Sequence, residues 1–390
     1  MLDRVAYGQM PPKHHLAYRR EDGGLCYEEC VTRDGFDGPY SILYHESPPQ
    51  QHQLKATTHG WPQPTPAAEG PLVKRHLRTQ DFESQGGPAV DARRPLVYND
   101  DVAVYLVQPT EADPVYVNDA DADTLFFVHR GGGTLVSPFG RLRFEQNDYV
   151  CVPKGVLHRF IPDPGVEQRW LAIHCFGGVG IPPQWRNPAG QLRMDAPYCH
   201  RDFKRPHFEG PIDEGVRDIV VKRGGRFTTY TVPHNPMDIV GWDGTVYPWV
   251  FPIMAFQPRT GLVHLPPDWH GTFGGRGVLI MSFVPRATDL HPDAVPCPYP
   301  HSSVDCDECL FYCDGEFTSR TGTSSGSMTL HPAGLPHGPQ PGRYEASLGT
   351  QGTNELAVMV DTFRPLTVAA QAVEVEDADY MESFCVGGAP

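Results

Sequence analysis

Hydrophobic positions along this chain fall in short runs and not at helical spacing. Residues 102–107, 124–128 and 149–152 are stretches rich in Val, Leu, Phe and Tyr, and turn signals such as Arg130-Gly-Gly-Gly133 and Asn147-Asp148 break them. Residues 219–223 and 226–232 repeat the texture. Runs of that length, bounded by turn residues, predict β-strands. The 40 glycines and 41 prolines fit many turns between short strands, since no collagen-type repeat accounts for them. One stretch differs. Pro365 and the Thr367-Val-Ala-Ala-Gln-Ala-Val373 segment that follows, with Tyr380 beyond, predict a short helix capped by Thr367 and laid over the C-terminal part of the fold. The expected fold is therefore dominated by β-structure, with one short C-terminal helix.

An internal echo sets the expected architecture. Asp123-Thr-Leu125-Phe126-Phe127, followed by a glycine turn, matches Glu308-Cys-Leu310-Phe311-Tyr312, followed by Gly315. Pro153-Lys-Gly155-Val-Leu-His158 then matches Pro332-Ala-Gly334-Leu-Pro-His337. Strand, glycine turn, strand, then Pro-x-Gly-x-x-His, written twice, resembles a bicupin: two antiparallel β-barrel, or jelly-roll, units in one chain. The Asn235-Pro236 turn divides them. Residues 1–235 would hold the first barrel, with its core at about 100–175, and 236–390 the second.

The two copies differ in chemistry. The second brings together His301, Glu308 and His337. Two neutral imidazoles and a carboxylate on a β scaffold make the facial triad that holds non-haem Fe(II) with open positions. Seven residues separate His301 from Glu308, which on a straight strand would put them on opposite faces. A turn or bulge in Ser302-Ser-Val-Asp305 would restore convergence. The first copy has no histidine near residue 116 to match His301, and Asp123 stands opposite Glu308. It is expected to be metal-free, with His158 a hydrogen-bonded core histidine.

Around the triad, His331 is expected to contact substrate, to donate to a ligand, or to replace His337 as one; the repeat favours His337, because His331 pairs with Val152. Tyr299 and Tyr312 flank the ligands and could hydrogen-bond a phenolate or pack as aromatics. Arg286 and Arg320 are candidates to hold a substrate carboxylate, with a solvated arginine as the alternative. His264 and His270 lie on a proline-rich loop as pocket lining or surface. Cys306-x-x-Cys309 is half a zinc pattern without a clear second half, so packing thiols are the expectation for the cysteines near 297–313.

Composition narrows the partners. The formal net charge is −15, which argues against nucleic acid or an anionic membrane as partner. Met1-Leu-Asp-Arg-Val-Ala-Tyr7 has no apolar run, and no stretch approaches the roughly 20 apolar residues of a membrane span. A cytoplasmic protein with reduced thiols is expected.

Longer motifs carry a resemblance. Lys13-His14-His15, Leu43-Tyr44-His45-x-x-Pro48-Pro49, Val128-His129-Arg130-Gly131-Gly132-Gly133, Phe139-Gly140, Pro153-Lys154-Gly155-x-x-His158-Arg159-Phe160, Val240-Gly241-Trp242-x-Gly244 and Pro336-His337-Gly338-Pro339 together make the chain similar to the homogentisate 1,2-dioxygenase family, nearly end to end. That resemblance implies a bicupin, Fe(II) held at the positions of His301, Glu308 and His337, His331 on the substrate side, Tyr299 as a pocket tyrosine, and a homo-oligomer. It implies O2-dependent extradiol-type ring cleavage of a small aromatic acid, homogentisate to maleylacetoacetate or a related hydroquinone or catechol. Two departures mark a divergent, bacterial-type member. The family's Val-Gly-Trp-x-Gly segment normally carries a histidine at x, an acid/base and substrate-binding group. Here it is Asp243, expected to take or hold the phenol proton. The His301–Glu308 spacing is also one residue longer than in the best-known members. The rival readings are another cupin metalloenzyme, a different dioxygenase or an isomerase on Zn, Mn or Ni, and a non-catalytic bicupin that binds small molecules.

Overall fold

The apolar runs become strands close to their expected bounds: Val102–Val107, Asp123–Arg130, Asp148–Val152, Ile219–Arg223 and Arg226–Thr231. They belong to a computed structural model that describes residues 2–55 and 60–385. Two large sheets organise the chain. In the seven-stranded sheet, Asp123–Arg130 lies between Asp148–Val152 and Arg169–Cys175, with Val102–Val107 and Arg93–Tyr98 beyond. In the six-stranded sheet, Asp307–Asp314 lies between Leu356–Thr362 and Ser327–His331. All the neighbours within these two sheets are antiparallel. The central strands are buried along almost their whole length, as continuous apolar runs require when both faces are covered. One hydrophobic cluster runs through both sheets, from Leu125 and Phe127 to Cys309 and Phe311.

Pairing crosses the chain midpoint in both directions. Arg75–Arg78, from the N-terminal half, adds an edge to Ser327–His331. Trp249–Pro252 and Thr367–Val368, from the C-terminal half, pair with Asp148–Val152 and Arg93–Tyr98. Stretches 1–235 and 236–390 therefore share both large sheets. The C-terminal helix is built as two 3₁₀ segments, Ala370–Val375 and Tyr380–Phe384. Thr367 does not cap them: it sits in the short strand opposite Tyr98, and Ala369 is the first cap. No helix among the described residues is long and apolar enough to cross a membrane.

The duplication is visible in register, and it shifts the sequence alignment by one residue. Thr124 faces Val152 and His174, as Glu308 faces His331 and Asp361. Asp123 accepts from the Lys154 and Val179 amides at 2.7 and 2.9 Å. Asp307 does the same for Ala333 and Leu366, both at 2.7 Å. The counterpart of Glu308 is thus Thr124, and Asp123 corresponds to Asp307. The shared Leu-Phe-aromatic triplet drew the sequence alignment out of step. Val117 and His158 exchange backbone hydrogen bonds, as His301 and His337 do, so Val117 stands where His301 stands. A valine and a threonine offer a metal neither imidazole nor carboxylate. Beside them the Arg93 guanidinium lies over the Trp61 ring at 4.0 Å and reaches His174.

Candidate metal centre

His301 lies outside the strands, and residues 302–306 form a short turn before Asp307–Asp314 begins. That loop brings His301 to the same side as Glu308. The backbone of His301 pairs with that of His337, N–H to carbonyl in both directions at 2.8 and 2.9 Å, so the two imidazoles rise side by side with ring centroids 4.3 Å apart.

The protons of both rings are placed by their surroundings. His301 Nδ1–H donates to the Tyr299 carbonyl at 3.1 Å, and His337 Nδ1–H to the Leu335 carbonyl at 3.2 Å. A neutral imidazole has one N–H, so each Nε2 is left as a lone pair. Both Nε2 atoms face Glu308 Oε2, at 3.7 and 3.4 Å. His337 Nε2 is buried and has no hydrogen-bond partner. Three donor atoms, one from each residue, lie within 4.8 Å of one another; among the described residues no other His, Cys, Asp or Glu group converges this way. An orphaned buried nitrogen, a second lone pair and an anionic oxygen are a donor set that would hold a divalent cation. Burial alone would raise the Glu308 carboxyl, but its close approach to His301, His331 and His337 outweighs it and holds the group well below the usual carboxylate range. The same contact with Glu308 raises His301.

These three residues line one end of a cavity whose walls include His264, His270, Arg286, Tyr312 and Arg320. Arg320 is buried, at 7% exposure. Its Nη1 donates to the carbonyls of Gly338 and Ser319 at 2.6 and 3.1 Å, its Nε has no partner, and no carboxylate among the described residues lies within ion-pair distance. Arg286 differs, because Glu355 Oε1 meets its Nη2 at 2.7 Å. The Tyr312 hydroxyl is engaged by Thr329 Oγ1 at 3.2 Å. Tyr299 is half-exposed and its ring is not among the lining groups; it meets the edges of His264 and His301, and its carbonyl orients His301. His331 is fully buried and does not line the cavity. Its Nδ1 meets Glu308 Oε1 at 2.9 Å, so its partner in this structure is a carboxylate.

Asp243 does not join the group. It lies in Ile239–Gly244, between Val5–Gly8 and Tyr40–His45 in a separate four-stranded sheet, and Arg4 holds its carboxylate. What the cavity holds instead is the histidine loop. His264 faces Asp289 at 3.9 Å, and burial lowers its pKa. His270 packs on Phe283 at 4.5 Å between ring centroids, and burial pushes it down to about 3. The cysteines near the site pack as thiols: all ten are free, and Cys297, Cys309 and Cys313 are buried.

Residues 89–253 match the family model described as homogentisate 1,2-dioxygenase N-terminal. A protein of Saccharolobus solfataricus named "Putative dioxygenase" is 33% identical over 382 residues, 97% of each chain. The homogentisate 1,2-dioxygenase of Bradyrhizobium diazoefficiens is 27% identical over 348 residues, covering 85% of this chain and 73% of that one. The chain belongs to the homogentisate 1,2-dioxygenase family. It is a divergent member, all-β, and the family carries with it a dioxygenase activity and a metal cofactor. Among solved structures, a cupin 2 conserved barrel domain protein from Leptotrichia buccalis covers 75% of this chain and 98% of its own at 9% identity, with a TM-score of 0.36.

Proposed function

We propose that this protein is an Fe(II)- and O2-dependent ring-cleaving dioxygenase acting on homogentisate or a closely related hydroquinone that bears a carboxylate. The observation that carries the reading is the convergence of the two Nε2 lone pairs and Glu308 Oε2 at the cavity wall. His301, Glu308 and His337 would hold the ion. When bound, Fe(II) supplies adjacent open positions for a phenolate oxygen and O2 and a path for electrons from the ring to O2.

The remaining work falls to the chain. His337 and Glu308 are buried, and His301, about a third exposed, opens the site toward the cavity. The substrate carboxylate goes to Arg320, because Arg286 already has Glu355 as counter-charge, whereas among the described residues no carboxylate lies within ion-pair distance of Arg320. A buried cation held only by neutral carbonyls is costly, and an incoming carboxylate relieves that cost. His264 accepts the phenol proton, since its depressed pKa leaves it neutral at pH 7 and Asp289 stabilises the imidazolium that forms. Both oxygen atoms of O2 enter the product, which for homogentisate is maleylacetoacetate. Oxygen uptake by the Fe(II)-loaded protein, with product analysis, tests this reading.

Placing the proton on His264 has a consequence for Asp243. Asp243→Asn removes only a half-exposed ion pair with Arg4, and kcat/KM should stay within about threefold of wild type. Steady-state kinetics decide this. A loss of about 100-fold would return the proton-transfer role to Asp243.

A further inference from the structure

We propose that Tyr380, near the C-terminal end of the described chain, is a positioning residue of the metal centre. Its hydroxyl fixes the His331 tautomer that holds Glu308 Oε1 and leaves Oε2 free for the ion. The inference rests on reading His301, Glu308 and His337 as ligands.

His331 Nδ1 lies 2.9 Å from Glu308 Oε1, and its Nε2 lies 3.2 Å from the Tyr380 hydroxyl. An ionised carboxylate can only accept, so the imidazole proton is on Nδ1. The neutral ring has no second proton. Nε2 is therefore an acceptor, and Tyr380 is the donor. The order of the chain is set at each step: Tyr380 O–H to Nε2, then Nδ1–H to Oε1. Both groups are shielded from bulk solvent: His331 is completely buried and Tyr380 is 3% exposed.

The position of Tyr380 is itself secured from several directions. Its ring packs against His76 at 5.3 Å and Phe384 at 5.4 Å. Asp377, three residues earlier, accepts from Arg78 at 2.8 Å and pairs with His76 at 3.2 Å. Glu376 meets Arg75 at 2.8 Å, and Gln340 donates to Ser383 at 2.6 Å. The strand Arg75–Arg78 that carries three of these anchors is hydrogen-bonded to the Ser327–His331 strand. The C-terminal turn and an N-terminal strand thus jointly set the far end of a ligand's hydrogen-bond chain. Groups of this kind orient ligands, and losing one costs about 10- to 100-fold in metal affinity.

Tyr380→Phe keeps the ring and removes only the donor. Val375→Ala loosens the same C-terminal segment without touching the hydroxyl, and serves as the packing control. Full-length wild type and both variants are stripped with a chelator, and Co(II) affinity is measured anaerobically by chelator competition together with the visible Co(II) spectrum and apo-protein melting. Tyr380→Phe should weaken Co(II) by about tenfold and alter its spectrum, with Val375→Ala matching wild type in both. Wild-type affinity and spectrum in Tyr380→Phe overturn the proposal, as does an equal loss in Val375→Ala. If wild type takes up no Co(II), or Glu308→Gln takes it up as well as wild type, the ligand assignment beneath the proposal fails instead.

Discussion

Glu308→Gln abolishes turnover and weakens Fe(II) by at least about 100-fold, the expected result of removing the one anionic ligand from a buried site. The side chain keeps its shape, so the effect is one of charge and hydrogen bonding. A glutamine amide is neutral and cannot offset a divalent ion. It must also present its carbonyl oxygen either to His331 Nδ1–H or to the metal position, where Glu308 now serves both with separate oxygens. The apo protein should melt lower than wild type at pH 7. The histidines around Glu308 more than offset the burial cost of its carboxylate, and a neutral amide loses that contribution. Metal analysis after anaerobic loading, paired with calorimetry of the apo forms, separates the two effects. Full iron occupancy in the variant would remove Glu308 from the ligand set.

Arg320→Met carries the second large effect. Methionine fills most of the volume but leaves the substrate carboxylate without its cation. Breaking a buried charge-assisted pair costs about 2–4 kcal/mol, so kcat/KM for homogentisate should fall on the order of 30- to 1,000-fold. The same variant should turn over a hydroquinone that lacks the carboxylate at close to the wild-type rate, because that substrate never used the guanidinium. A parallel loss for both substrates would mean that Arg320 acts through the Gly338 and Ser319 carbonyls it now holds, as a structural clamp next to His337.

Much of this was legible in the chain because β-structure writes itself locally. Runs such as Val102–Val107 are long enough to be strands and too short to be helices, and the turn residues between them mark their ends. The histidine that closes each Pro-x-Gly-x-x-His segment is equally local, so the duplication and the His337 position could be read in order. What failed depends on register or on distance. The carboxylate equivalence slipped by one residue because Leu-Phe-aromatic triplets align well in either frame; only the cross-strand partners of Thr124 and Glu308 distinguish them. Asp243 sits in a family motif, but a motif does not say which sheet its strand joins. The reverse holds for His264. Its loop offered no carboxylate nearby except Asp268, yet hydrogen bonds from Leu290 to Gly261 and from His291 to Leu262 bring Asp289 to it from a later loop. Tyr380 lies 49 residues beyond His331, in a segment whose sequence signals only a short helical cover.

The most direct measurement is oxygen consumption by the purified protein after anaerobic loading with Fe(II), offered homogentisate, gentisate or catechol, with the products identified by mass spectrometry. The account predicts rapid, iron-dependent uptake with homogentisate, a ring-opened product that carries both atoms of labelled O2, and little turnover of catechol, which has no carboxylate for Arg320. Iron bound at full occupancy with no oxygen uptake on any of the three substrates would contradict it.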